Sequence, residues 1–168
     1  MNKTLLETVN LKKTYEHKNG AIDLFDKVNI KIKSGELIAL VGPSGSGKSS
    51  FLHLLALLDD PSKGKILLTN KDTTSFTDDE KNQVRRENIS IIFQDNNLLT
   101  DFNALENVMM PLIIKGEKTN TSIQKAKKIL KEVRISDRIN HFPSELSGGE
   151  QQRVAIARAL VSETSLIL

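Results

Sequence analysis

Gly42-Pro43-Ser44-Gly45-Ser46-Gly47-Lys48-Ser49 is the stretch that decides how this chain reads. It fills every fixed position of the pattern G-x-x-x-x-G-K-[S/T]. Each residue type has a physical task. The glycines let successive backbone amides converge on phosphate oxygens where a β-carbon would block them. The helix expected to follow adds about half a positive charge at its N-terminus. Lys48 is a point charge placed for β- and γ-phosphates. Ser49 offers its hydroxyl to a magnesium ion, and Ser50 follows in the same first turn. A chance match in a chain of this length has odds on the order of one in two hundred at average glycine usage. The competing reading is a glycine-rich turn that merely precedes a helix. A dinucleotide fingerprint fits worse, because the residues after Gly47 are Lys48, Ser49 and Ser50 and the third glycine is absent.

The flanks of the loop agree with it. Leu37-Ile38-Ala39-Leu40-Val41 is an unbroken apolar run, the pattern of a parallel strand buried on both faces. Ser49 to Leu58 is apolar on nearly every face, which predicts a helix packed against that sheet. Upstream, Leu5 to Leu11 and the alternation Val28, Ile30, Ile32 predict half-buried strands of an antiparallel edge layer, the second ending at Ser34-Gly35. Downstream, strands are expected at Lys65–Thr69 and Ile89–Phe93. Thr77 and Glu80 have capping-box spacing, and so do Thr121 and Gln124. The second box should open an amphipathic helix with Ile123, Ala126, Leu130 and Val133 on one face. The segment from about Ala104 to Asn140 therefore reads as a small helical subdomain.

Composition bounds what remains. The 168 residues suffice for one core-forming domain. At 38% apolar and 27% charged, with four prolines, the chain has the make-up of a folded domain and not of a tail or fibre. A net charge of +3 with scattered lysines reads as a solvated surface, so no nucleic-acid partner is expected. There is no cysteine, which excludes a disulfide framework and a thiolate zinc site and fits a reducing cytosol. The N-terminal residues lack the apolar core of a signal peptide, and no run approaches the roughly eighteen apolar residues of a membrane span. A membrane role would come through a partner.

A second motif lies a hundred residues after the first: Leu146-Ser147-Gly148-Gly149-Glu150-Gln151-Gln152-Arg153-Val154-Ala155-Ile156-Ala157-Arg158-Ala159-Leu160. Its own physics is that of a helix N-terminus able to hold an anion. Ser147 can cap, Glu150 can close the box, and Gly148 and Gly149 leave amides open. An ordinary capped helix is the alternative.

With both motifs in place, the chain resembles the ATP-binding subunits of ABC transporters along its whole length. The resemblance implies an α/β P-loop ATPase core sheet, an antiparallel β layer and a small helical subdomain, about residues 95–145, with the signature motif at its end. The whole chain would be one nucleotide-binding domain. It implies ATP and Mg2+ as ligands and a second copy closing head to tail, so that Ser147, Gly148, Gly149 and Glu150 of one copy meet the nucleotide held by Gly42 to Ser50 of the other. Lys48 and Gln94 would be the catalytic positions in hand, with Ser49 and Gln94 at the metal. Tyr15 sits where the family places an aromatic ring against adenine, and an ordinary half-buried tyrosine is the lesser alternative. His53 and His141 match no catalytic position and read as packed or solvated.

The segment Gln94-Asp95-Asn96-Asn97-Leu98-Leu99-Thr100-Asp101-Phe102-Asn103, continuing through Pro111, resembles the branch of lipoprotein-releasing and macrolide-exporting ATPases. That implies a peripheral subunit on the cytoplasmic face of the bacterial inner membrane, bound to integral membrane subunits. Other exporters and importers, or a cell-division scaffold, share much of the same text. A DNA-repair ATPase would need a long coiled-coil insertion between the motifs, and a translation-associated ATPase a second cassette. In the family, the strand begun by Ser165-Leu166-Ile167-Leu168 runs on into an aspartate for magnesium and a glutamate that polarises water, with a switch histidine later. The expectation is therefore a fragment of a longer product, without hydrolytic activity of its own.

Overall fold

The computed structural model describes residues 3–17 and 20–168, with His17 described by its backbone alone. It divides into two compact units, Met1–Arg85 and Arg86–Leu168.

The first unit is built on an antiparallel sheet of strands β1 (Thr4–His17), β2 (Gly20–Lys33), β3 (Lys63–Leu68) and β4 (Lys71–Asp72), in the spatial order β2-β1-β3-β4. Its register sets Leu6 opposite both Ile32 and Leu68, so the apolar residues of three strands share one face. Leu6, Leu11 and Ile66 are fully buried. Thr8 is buried too, and its hydroxyl donates to the Val28 carbonyl at 3.0 Å while accepting from the Ile30 amide at 3.1 Å. That satisfies a polar group where the β1–β2 ladder is irregular. Helix α1 (Lys48–Leu55) buries Phe51, Leu54 and Leu55, and Phe51 meets Phe25 edge to face at 5.5 Å. His53 lies on its exposed side. Thr77 and Glu80 form the expected box, the Thr77 amide donating to the Glu80 carboxylate at 2.7 Å, and helix α2 (Asp78–Asn88) begins there.

One expectation fails in this unit. Leu37–Val41 enters no strand ladder among the described residues, and Leu37 and Val41 are exposed. An apolar run reports that a segment fits a pleated, buried surface, but a strand exists only through its partners. The antiparallel sheet ends at β2 and does not take this run as a further strand.

The second unit contains strands β5 (Ile89–Ser90) and β6 (Leu166–Ile167), paired in parallel, and helices α3 (Ala104–Ile114), α4 (Thr119–Glu132) and α5 (Gly148–Leu160). The pairing continues through Ile92 N–H to the Leu168 carbonyl at 2.8 Å. The strand expected over 89–93 is thus shorter than its sequence pattern. Val108, Leu112, Ala126, Leu130, Val154 and Ala157 form one core shared by the three helices. Ala126 and Leu130 are buried, with Ile123 and Val133 against them, as the heptad-like spacing requires. Helix α4 nevertheless starts two residues before the expected box. Lys118 is its N-cap and provides no side-chain bond, while the Ser122 hydroxyl donates back to the Lys118 carbonyl at 3.2 Å. A serine one turn inside a helix can bond the i−4 carbonyl as well as it can cap. Among the described residues no helix is long and apolar enough to cross a membrane.

Candidate functional site

The phosphate loop leads directly into α1. Gly47 is the N-cap at φ +82°, a conformation that disfavours side chains, and a β-carbon there would come within 3.3 Å of Leu24 Cβ. No side chain caps α1, so its first-turn amides are left for an external acceptor. Lys48 Nζ donates to the Gly42 carbonyl at 2.9 Å and the Pro43 carbonyl at 2.6 Å, and among the described residues it pairs with no carboxylate. The ammonium is therefore held over its own loop by neutral acceptors, which an anionic oxygen outcompetes. Ser44, Gly45, Ser46 and Ser49 are exposed around it, with Ser50 half-buried. A cavity of about 330 Å³ adjoins the loop, walled by Phe25, Val28, Ile30 and Phe51. Its apolar walls would not repay the desolvation of phosphate, which belongs on the amides instead.

Tyr15 is 43% exposed near the end of β1, in the same unit. Its hydroxyl donates to Asp59 Oδ2 at 3.1 Å, and Lys13 Nζ lies 4.8 Å from its ring centroid. Lys13 is buried and donates to Asp59 Oδ1 at 2.7 Å and to the Asp60 carbonyl at 2.8 Å. Burial would raise the Asp59 pKa, but the hydrogen bonds from Lys13, the Asp60 amide and Tyr15 overcome it and hold the carboxyl below its ordinary value.

Gln94 and the signature motif belong to the second unit. Gln94 is exposed at a turn just past β5. Asn96 and Asn97 follow in left-handed conformations, φ +59° and +45°, which asparagine tolerates better than most residues. Their carbonyls accept from Arg158 of α5, each at 2.7 Å, and burial lowers the pKa of that guanidinium. Asn107, fully buried in α3, accepts from the Leu99 amide at 2.8 Å and donates to the Leu99, Phe102 and Asn103 carbonyls. The segment after Gln94 is thus pinned by two side chains that sequence reasoning missed. Asn107 could have been noticed as a lone amide amid Val108, Met109 and Leu112. Arg158 gave no local signal, since its partners lie 61 and 62 residues away.

Ser147 caps α5. Its amide and hydroxyl both donate to Glu150 Oε2 at 2.8 Å. The Ser147 amide, the Ser147 hydroxyl and Arg138 together pull the Glu150 pKa down to about 2. Gly148 and Gly149 stand in the first turn, where a β-carbon on either would meet nothing closer than Arg153 Nη1 at 4.0 Å. Each glycine costs a helix roughly 1 kcal/mol against alanine. Nothing inside the unit requires that cost, so close approach from outside is what the two glycines permit.

Among the described residues no cluster of three His, Asp or Glu side chains could hold a metal. The hard oxygen of Ser49 suits an ion that brings water and phosphate oxygens with it, as magnesium does, and does not suit a closed protein site.

Residues 25–168 match the profile of the ABC transporter family. The lipoprotein-releasing system ATP-binding protein LolD of Colwellia psychrerythraea is 46% identical over 164 residues, 98% of this chain and 64% of the relative. The protein of that name from Rhodopseudomonas palustris is 45% identical over 152 residues, 90% of this chain and 66% of the relative. The chain spans about two thirds of the length of these curated relatives. Among solved structures it is similar to the ATP-binding cassette MJ0796, a dimer in a post-hydrolysis state bound to ADP and Pi. The TM-score is 0.92 with 40% identity, covering 97% of this chain and 72% of that one.

Proposed function

The chain belongs to the ABC transporter family, and on that premise we propose that it is the ATP-binding part of a subunit that couples ATP binding and hydrolysis to substrate movement from a membrane, of the lipoprotein-releasing kind. The observation that carries the nucleotide reading is the uncapped N-terminus of α1 beneath Lys48. Loop amides and the Lys48 ammonium take the β- and γ-phosphates, and Tyr15 offers its exposed face to adenine. Ser49 would offer its hydroxyl to the Mg2+ that travels with ATP, and Gln94 is assigned to that ion by resemblance to the family. That ion supplies neutralisation of charge on the transferring phosphoryl group.

A second copy completes the site. Gly148 and Gly149 support this, because their open flanks serve no packing among the described residues. They admit the γ-phosphate held by the other copy, with Ser147 releasing part of its bond to Glu150 to reach it. MJ0796 is described as a dimer, which supports this reading. The lipoprotein-releasing assignment rests on the LolD relatives and on the segment from Gln94 to Pro111, and it carries with it integral membrane subunits and a peripheral place at the bacterial inner membrane. Within residues 1–168 we assign no water-orienting carboxylate, so these residues bind nucleotide and turn it over at background. Recovery of the tagged gene product from bacterial membranes tests the transport role. Co-recovery of a membrane protein with a large periplasmic domain supports it, and a product found only apart from membranes contradicts it.

A further inference from the structure

The phosphate loop runs into α1, and the end of α1 runs into the turn Asp59-Asp60-Pro61-Ser62, which is laced to the strand that carries Tyr15. Ser62 N–H donates to the Lys12 carbonyl at 2.9 Å, and Ser62 Oγ accepts from the Thr14 amide at 2.9 Å. Asp60 is braced from the other side by Lys81 at 2.7 Å. Lys13, from the same strand as the tyrosine, is buried between the Asp59 carboxylate and the ring. We propose that Lys13 and Asp59 are positioning residues for base recognition: the Lys13 ammonium occupies one face of the Tyr15 ring, Asp59 fixes its hydroxyl, and the opposite face is thereby presented as a rigid platform for a purine. This rests on the nucleotide reading above and extends it to residues that the two motifs do not include.

A cation within about 6 Å of a ring centroid is attracted to the π-face and excludes other partners from it. An aromatic side chain on an exposed strand end otherwise has two faces and free rotation, and a base that stacks on it must first stop that motion. Here the hydroxyl anchor and the ammonium have already stopped it. Finally, the platform and the phosphate loop are joined through one short helix and one braced turn in the same unit, so the spacing between a bound base and its phosphates is set by rigid elements.

The sequence supplies its own probe, because Tyr15 is the one tyrosine and there is no tryptophan. Tyrosine fluorescence of the whole chain is followed during titration with Mg-ATP, and inorganic triphosphate is titrated by calorimetry as a ligand that has the phosphates and no base. Lys13→Met keeps the apolar stem, and Asp59→Asn keeps the shape of the turn while removing the carboxylate that accepts from Tyr15. Both variants should bind ATP at least about fivefold more weakly, the lower bound for loss of one stacked base. They should also lose most of the ATP-induced change in Tyr15 emission while binding triphosphate as the parent does. Equal losses for ATP and triphosphate would show that the pair only maintains the fold. Unchanged ATP affinity and emission in both variants would show that the ring needs no support. In either case the nucleotide reading stands if the parent binds ATP. If the parent itself binds triphosphate but shows no preference for ATP over it, the platform is refuted, and if it binds neither, the nucleotide reading falls with it.

Discussion

Replacing Arg158 with methionine should loosen the segment after Gln94 without dissolving the helical core. Arg158 donates to the Asn96 and Asn97 carbonyls at 2.7 Å each, from the helix that begins at the signature glycines. Hydrogen bonds with a charged partner are worth about 1.5–3 kcal/mol each, so two give a gross contribution of about 3–6 kcal/mol. The guanidinium is largely removed from water, which lowers its pKa, and that desolvation offsets part of the gain. A net loss of about 2–3 kcal/mol remains, the methionine retaining the stem's packing. The Asn96 amide donates to the Phe93 carbonyl and the Asn97 amide to the Asp95 carbonyl, so both report on the turn directly. If they exchange by local opening, Arg158→Met should speed their exchange about 30- to 150-fold while amides of α4 change little. Amide hydrogen exchange resolved by residue is the assay. Exchange at 96 and 97 within about threefold of the parent would refute the clamp. Equal acceleration across the whole second unit would show instead that Arg158 supports packing and not the turn.

Acid should release the signature cap. The Glu150 carboxyl is held down to about 2 from an ordinary value of 4.5, so its contribution is complete above the higher value and is lost as pH falls from one to the other. Amide exchange of the first turn of α5, measured between pH 5 and about 2 and taken relative to the intrinsic rate of an unstructured amide at each pH, should lose protection over that window in the parent and not in Glu150→Gln. Leu130→Ala removes a fully buried side chain from the three-helix core and should cost about 3–5 kcal/mol in urea unfolding, and a loss below about 1 kcal/mol would mean that the core collapses around the gap. Residues 1–168, purified free of contaminating ATPases, should hydrolyse Mg-ATP at background. A turnover abolished by Lys48→Ala would place a catalytic base within them.

What could be read in the sequence was what short-range chemistry determines. The Thr77/Glu80 and Ser147/Glu150 boxes formed because both partners lie within one turn. The apolar face of α4 packed as its spacing required, since a helix carries its hydrogen-bond partners within itself. The P-loop ATPase fold class agrees with the likeness to MJ0796. Leu37–Val41 misled because a strand's partners are not in its own sequence, and the Thr121 box misled because Ser122 has an alternative acceptor one turn back. The supports of the candidate site were the least legible. Lys13 reaches Asp59 across 46 residues and Arg158 reaches Asn97 across 61, so neither pairing leaves a local pattern.

The central claim is that Gly42 to Ser50 hold the phosphates of ATP, with Lys48 as the charge set against them. Equilibrium titration of Mg-ATP into the chain and into Lys48→Ala tests it most directly. The account predicts saturable binding by the parent and affinity at least about tenfold weaker in the variant, because the substitution deletes a charge-assisted contact worth about 1.5–3 kcal/mol and nothing in the loop replaces it. Equal affinity of the two proteins for Mg-ATP would contradict it.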